Sequence, residues 1–236
     1  MHSMSISSST VLFFLKQPVS GQVKSRLAAV LGGENALRLY RAFVEDMLAT
    51  IDGAGLAHRV CVHPPAAIPA VASWLGHHRR YLSQEGEDLG ERMANAFRGI
   101  FAEGISRAVL IGSDLPDLPA HLLTEALDVL GRHDAVIGPA RDGGYYLIGF
   151  RRETFLPDAF PGIAWGGADV FEHTMERFRA SGAGVHVLPT WNDVDTIEDL
   201  RDLVQRSRGA VSAAHRTVRV IQETRPAEIS AEGPHA

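Results

Sequence analysis

Val109-Leu110-Ile111-Gly112-Ser113-Asp114-Leu115-Pro116-Asp117-Leu118 decides how the rest of the chain is read. An apolar run that begins at Ala108 stops at Gly112-Ser113-Asp114, and Pro116 blocks its continuation. The pattern predicts a buried strand that carries the carboxylate of Asp114 to the edge of a sheet. In open α/β sheets, ligands bind outside the carboxyl ends of the strands. A carboxylate at that place is positioned to hold a hard cation against a phosphate.

Working outward, Val11–Leu15, Ala57–Val62, Ala135–Gly138, Tyr145–Phe150 and Val185–Leu188 read as further strands. Helices are expected from the segment Gly21–Ala28, over Glu34–Ile51, around Ala70–Leu75, and over Leu89–Phe101, His121–Leu130, Ala168–Ser181 and Thr196–Arg206. In Glu34–Ile51 the residues Leu37, Tyr40, Phe43, Val44, Met47 and Leu48 recur at helical spacing. Strands alternating with helices indicate an α/β class: one domain over residues 11–206, a mostly parallel twisted sheet flanked by helices. About six residues separate Ala135–Gly138 from Tyr145–Phe150, too few for a parallel crossover. An antiparallel departure is therefore expected around residues 142–166. The Ser-rich residues 1–10 read as a disordered N-terminus. Residues 207–236 read as a largely loose extension in which Thr217–Ile221 could pair as an edge strand.

Of 236 residues, 45% are hydrophobic and 22% charged, and the net charge is −5. That balance gives no drive toward nucleic acid or an anionic membrane. No stretch approaches the ~18 apolar residues of a membrane span, and Val11–Leu15 is too short for a signal-peptide core. Cys61 is the only cysteine, set between Val60 and Val62, and reads as a small core residue. A chain with no intramolecular disulfide fits a reducing cytoplasm. A homodimer is left open as an alternative to a monomer.

Several constellations could carry chemistry. Lys16-Gln17-Pro18-Val19-Ser20-Gly21-Gln22-Val23-Lys24-Ser25-Arg26 follows a strand and opens a helix. Lys24 and Arg26 beside a helix N-terminus are locally unfavourable unless an anion sits there; the plain alternative is a solvated basic loop. Asp114 suits Mg²⁺, which takes one or two carboxylates plus phosphate oxygens, whereas Asp117, between Pro116 and Pro119, can simply shape the turn. In Trp191-Asn192-Asp193-Val194-Asp195-Thr196 an extended backbone points Asp193 and Asp195 the same way. Asp195 or Thr196, with Glu198 or Asp199, also reads as a capping box. Asp142-Gly143-Gly144 is either an ordinary hairpin signal or a loop under a substrate. Asp88 with Glu91 reads as a capping box ahead of Arg92. Trp165 is either the edge of the core or a platform for a ring. No His/Cys set has zinc spacing, and no nucleophile elbow is present.

Taken in order, Lys16-x-Pro18…Gly21-x-x-Lys24-x-Arg26-Leu27, Gln84-x-Gly86-x-Asp88-Leu89-Gly90-Glu91-Arg92-Met93, Gly112-Ser113-Asp114-x-Pro116, Gly138-Pro139-Ala140-x-Asp142-Gly143-Gly144-Tyr145-Tyr146 and Asp193-Val194-Asp195-Thr196 resemble a family of bacterial transferases. That family lies in the nucleotide-diphospho-sugar transferase (glycosyltransferase-A) superfamily, whose fold is Rossmann-like. The resemblance covers about residues 11–205. The plan is also similar to that of molybdenum-cofactor nucleotidyltransferases and 2-phospholactate guanylyltransferases. The resemblance implies that Lys16, Gly21, Lys24, Arg26, Gly143 and Gly144 contact a nucleotide. It implies that Asp114 with Asp193 or Asp195 holds Mg²⁺ (or Mn²⁺). Where the family often carries small hydroxyl residues after the tryptophan, this chain has Gly166 and Gly167.

The expected activity is metal-dependent transfer at the diphosphate of a nucleotide donor to a small-molecule acceptor. Lys24, Arg26 and Asp114 act on the phosphates, and Asp142 is the candidate general base. Glycosyl transfer from a nucleotide sugar leads. The alternative is nucleotidyl transfer from a triphosphate to a phosphate monoester with release of pyrophosphate. A nucleotide-binding protein without turnover is the third reading.

Overall fold

The computed structural model describes residues 9–207 and 214–224. These divide into two compact units. The first comprises Met1–Gln17, Ile51–Gly112 and Ala120–Trp191; the second comprises Pro18–Thr50, Ser113–Pro119 and Asn192–Ala236.

The first unit is a seven-stranded sheet with flanking helices. Its strands are β1 (Ser9–Lys16), β2 (His58–His63), β3 (Tyr81–Ser83), β4 (Arg107–Ile111), β5 (Ala135–Pro139), β6 (Tyr145–Arg151) and β7 (Val185–Val187). They lie in the order β3-β2-β1-β4-β6-β5-β7. β1 pairs parallel with β2 and β4, β2 with β3, and β5 with β7. β6 runs antiparallel to both β4 and β5, the departure that the short link after Gly138 requires. β1 is an interior strand, and Val11–Leu15 are buried, as expected of a strand covered on both faces. Cys61 is fully buried in β2, and burial pushes its thiol pKa up.

The helices of this unit are α3 (Ile68–Leu75), α4 (Leu89–Ala102), α5 (Ala120–Val129) and α6 (Val170–Ser181). In α4 the residues Met93, Ala94, Phe97, Ile100 and Phe101 recur on one face and are buried. Phe97 meets the Phe150 ring edge-on, with centroids 5.0 Å apart. Asp88 caps α4 by accepting from the Glu91 N–H at 2.8 Å, while Glu91 accepts from the Glu87 N–H at 2.9 Å. Trp165 lies at the edge of this core: a Cβ on Gly90 would stand 2.6 Å from its ring.

The second unit holds α1 (Ser25–Leu31), most of α2 (Gly33–Gly53), α7 (Ile197–Ser207) and α8 (His215–Thr224). Leu27, Leu31, Leu39, Phe43, Val194, Leu200, Leu203 and Ile221 form its core. The buried carboxylate of Asp46 accepts from the backbone N–H groups of Arg216 and Thr217 at 3.1 and 2.8 Å, capping the start of α8.

Three sequence expectations change. Thr217–Ile221 is helical within α8, because Thr217 and Ile221 share one buried face four residues apart; a strand would place them alike only through an alternating pattern. Ser9 and Thr10 belong to β1 rather than to a disordered terminus, and the Thr10 hydroxyl donates to the Ala57 carbonyl at 3.1 Å. The three-residue strand β3 escaped notice because Tyr81-Leu82-Ser83 is too short to show a period. Of the segments expected to be loose, residues 1–8, 208–213 and 225–236 lie outside the described residues.

Candidate active site

The centre of the second unit is Lys24. It stands at the N-cap of α1 with φ 52° and ψ 48°, the left-handed region. Among the described residues it is the only non-glycine with positive φ. An L-residue there costs about 1–2 kcal/mol, so the surroundings must hold it in place. They do so through the ammonium of a side chain that is only 3% exposed. Its Nζ lies 2.8 Å from Asp114 Oδ1 and 2.7 Å from Asp195 Oδ1, and it donates to the Val194 carbonyl at 2.7 Å. An ammonium has three protons, and these three oxygens use them. The Phe43 ring lies beneath, its centroid 5.4 Å from Nζ, a cation–π distance. Burial alone lowers the pKa of Lys24, but the charges of Asp114 and Asp195 outweigh it and the net shift is upward from 10.5.

Each partner is placed by its own local structure. β4 ends at Ile111, and the following turn is anchored by buried Leu115 and Leu118. The Ser113 hydroxyl lies 3.3 Å from both the Tyr40 hydroxyl and Asp114 Oδ1 and has one proton to give to either. The Asp114 carbonyl accepts from the Val194 N–H at 2.9 Å, fastening the 113–119 turn to the segment before α7. Asp117 is nearly buried and pairs with Arg206 of α7 at 2.9 Å. Thr196 and Asp199 form the expected capping box. Asp199 Oδ2 accepts from the Asp195 and Thr196 N–H groups and from the Thr196 hydroxyl, and Thr196 Oγ1 accepts from the Asp199 N–H. With the cap supplied by Thr196 and Asp199, the Asp195 carboxylate is available to Lys24. Asp193 makes other contacts and does not join this ion pair.

The remaining candidates fall as follows. Gly21 has φ 78°, and Arg26 in the first turn of α1 is exposed. Lys24 faces carboxylates where the sequence suggested a phosphate. In the first unit, Lys16 is exposed at the end of β1. Asp142 is exposed, and its Oδ1 accepts from the Gly144 N–H at 2.9 Å, an Asx-type turn. Gly143 has φ 88°, and a Cβ there would stand 1.8 Å from the Ala168 carbonyl oxygen. The glycine is thus required by close packing of the 142–144 turn on the segment before α6, where Phe171 N–H also donates to the Gly143 carbonyl. Sequence reasoning missed Phe43 under the ammonium, the Val194 carbonyl as its third acceptor, and Tyr40 behind Ser113. No local signal marks them, since 170 residues separate Lys24 from Val194.

Among the described residues, no group of three or more His, Cys, Asp or Glu side chains could hold a metal ion by itself. Two carboxylates that converge on one point remain. Asp114 and Asp195 engage the ammonium through one oxygen each, and both side chains are 39% exposed. Lys24 balances one of the two negative charges. That donor set fits Mg²⁺, which is held through one or two carboxylates with substrate phosphates and water completing its shell. It does not fit a cation caged by protein alone.

Residues 47–167, just over half of the chain, match a family described as "Uncharacterized protein conserved in bacteria (DUF2064)". A crystal structure from Desulfovibrio desulfuricans G20, of a protein assigned to the nucleotide-diphospho-sugar transferases, is 43% identical with a TM-score of 0.89. The match covers 95% of this chain and 98% of that one. The 3-phospho-D-glycerate guanylyltransferase of Phenylobacterium zucineum (strain HLK1) is 29% identical over 209 residues, 85% of this chain and 90% of that protein. The 2-phospho-L-lactate guanylyltransferase of Methanothermobacter thermautotrophicus (strain Delta H) is 31% identical over 134 residues, 55% of this chain. That last match spans only 56% of the relative's length. The description of the Desulfovibrio protein agrees with the superfamily that the motifs resemble.

Proposed function

The chain belongs to the DUF2064 family, and from that premise we propose that it is a nucleotidyltransferase. It moves a nucleoside monophosphate from a triphosphate, GTP first among them, to a small acid bearing a phosphate monoester, and releases pyrophosphate. The observation that carries this reading is the convergence of Asp114 and Asp195 on buried Lys24. The family resemblance leans toward glycosyl transfer and the basic glycine-led loop toward a triphosphate donor; two relatives named guanylyltransferases weigh for the nucleotidyl alternative.

In this reaction an oxygen of the acceptor phosphate attacks the α-phosphorus of the triphosphate. A new P–O bond forms, the bond to the β-phosphate oxygen breaks, and pyrophosphate leaves with that electron pair. A phosphate monoester is already mostly dianionic at neutral pH, its second pKa being about 6. No general base is needed, which agrees with the Asp142 carboxylate serving its own turn. A divalent cation held by Asp114 and Asp195 would supply Lewis-acid stabilisation of the phosphoryl oxygens. Lys24 keeps the two carboxylates convergent. Arg26, exposed in the first turn of α1, meets the negative charge that grows on the leaving group, and such electrostatic stabilisation is usually the largest catalytic contribution.

The test offers the purified protein Mg²⁺ with GTP and 3-phosphoglycerate or 2-phospholactate, and separately with nucleotide sugars. Pyrophosphate release that depends on the phosphorylated acid, and falls by about 10²-fold or more in Asp114→Asn, supports the reading. Release of a nucleoside diphosphate from a nucleotide sugar, with no pyrophosphate from any triphosphate, would restore glycosyl transfer.

A further inference from the structure

The first unit carries a second concentration of basic groups. β1 and β2 end side by side, Lys16 opposite His63, and the Gln17 N–H donates to the His63 carbonyl at 2.7 Å. Gln84 ties the next loop to these strand ends. Its buried side-chain amide donates to the Leu15 and Cys61 carbonyls at 3.0 and 2.7 Å, and its backbone N–H donates to the Val62 carbonyl at 3.0 Å. The chain then turns at Gly86 with φ 138°, where a Cβ would stand 2.7 Å from Glu91 Cβ and 2.9 Å from the Arg92 nitrogen. That close approach lays the loop on the first turn of α4. Arg92 clamps it, donating through Nε to the Gly86 carbonyl at 3.0 Å and through Nη2 to the Glu87 carbonyl at 3.3 Å.

Carbonyls orient the guanidinium without cancelling its charge, and Arg92 makes no ion pair with a described residue. The neighbouring Asp88 and Glu91 carboxylates accept from backbone N–H groups at the start of α4. His63 Nδ1 is buried with no hydrogen-bond partner. Burial and the charges of Arg92 and Lys16 depress the His63 pKa below 6.5, a sign that the three groups share one field. Lys16, Arg92 and the His63 ring stand where parallel strands end, the usual place for a ligand in such sheets. An oxyanion there would accept from the orphaned ring nitrogen in the tautomer that carries the proton on Nδ1 and would meet both cations.

We propose that Lys16, His63 and Arg92 form a phosphoryl-binding site within the first unit, separate in its residues from Lys24, Asp114 and Asp195. Its ligand is a phosphoryl group of the donor or of the acceptor, two sources with one chemistry.

The test follows the His63 ring by ¹⁵N–¹H NMR, its signals identified by their loss in His63→Gln. Inorganic pyrophosphate is titrated without divalent cation. The expected result is a saturable displacement of the His63 signals, with affinity at least tenfold weaker in Arg92→Gln and in Lys16→Gln. Lys16 is exposed at a strand end, so its variant remains informative should Arg92→Gln loosen the loop. Separate titrations with GTP and with 3-phosphoglycerate assign the source by which one moves the ring. Unmoved His63 signals with all three probes, or unchanged affinity in both variants, would overturn the proposal. Because no turnover is required, a positive result stands even if no nucleotidyl transfer is found, and a negative one leaves the transferase assay unaffected.

Discussion

Replacing Lys24 by methionine removes the ammonium and keeps most of the side-chain volume. Three acceptors then lose their donor at once: Asp114 Oδ1, Asp195 Oδ1 and the Val194 carbonyl. Removing one partner of a buried ion pair costs about 3–5 kcal/mol. Here the two carboxylates are 39% exposed, so water recovers part of that loss, and about 2–3 kcal/mol is expected. Methionine gains nothing back from the backbone, because any L side chain at φ 52° bears the same left-handed cost. For a chain of this size the loss corresponds to a fall of about 4–12 °C in Tm. Urea denaturation followed by circular dichroism gives the free energy from the midpoint and slope. A companion pair separates the charge from the backbone: Lys24→Gly should be more stable than Lys24→Ala by about 1 kcal/mol. A Lys24→Met protein within 0.5 kcal/mol of the parent, or an alanine variant as stable as the glycine one, would refute the reasoning.

Stability should also depend on pH at both extremes. The Lys24 pKa is raised, so its contribution is complete below 10.5 and is lost as pH rises through the folded value; Lys24→Met should lack this alkaline decline. Asp134 accepts from the Gly184 N–H and pairs with Arg151, and its pKa is lowered from 3.8. Its contribution is present above 3.8 and is lost as pH falls through the depressed value, so Asp134→Asn should show a shallower acid decline in Tm. Gly143→Ala must displace the Ala168 carbonyl from the space its Cβ would fill; a loss of about 2 kcal/mol or more in urea denaturation is expected, and a neutral outcome would contradict the packing described. Asp199→Ala removes the acceptor for three donors at the start of α7 and should cost about 1–2 kcal/mol, read in the same assay.

Much of this architecture is legible in local patterns. Val11–Leu15 and Val109–Ile111 are buried strands because unbroken apolar runs suit a sheet covered on both faces. The antiparallel β6 follows from a link too short to cross over. The capping boxes at Asp88–Glu91 and Thr196–Asp199 were readable because their partners are three residues apart. The glycine at 143 signalled a close approach, though not what approaches: the Ala168 carbonyl is 25 residues distant along the chain.

Residue types and short-range spacing thus determined most of the strands and helices, two of the caps and the acids that belong together by chemistry. Tertiary structure decided which oxygens Lys24 meets, that Asp195 and not Asp193 joins Asp114, and that residues 217–221 close a helical core. The reason is physical. Secondary structure is set by interactions a few residues long, whereas the choice between two aspartates depends on where one ammonium, 171 residues away in the chain, finds its counter-charges once water is excluded around it.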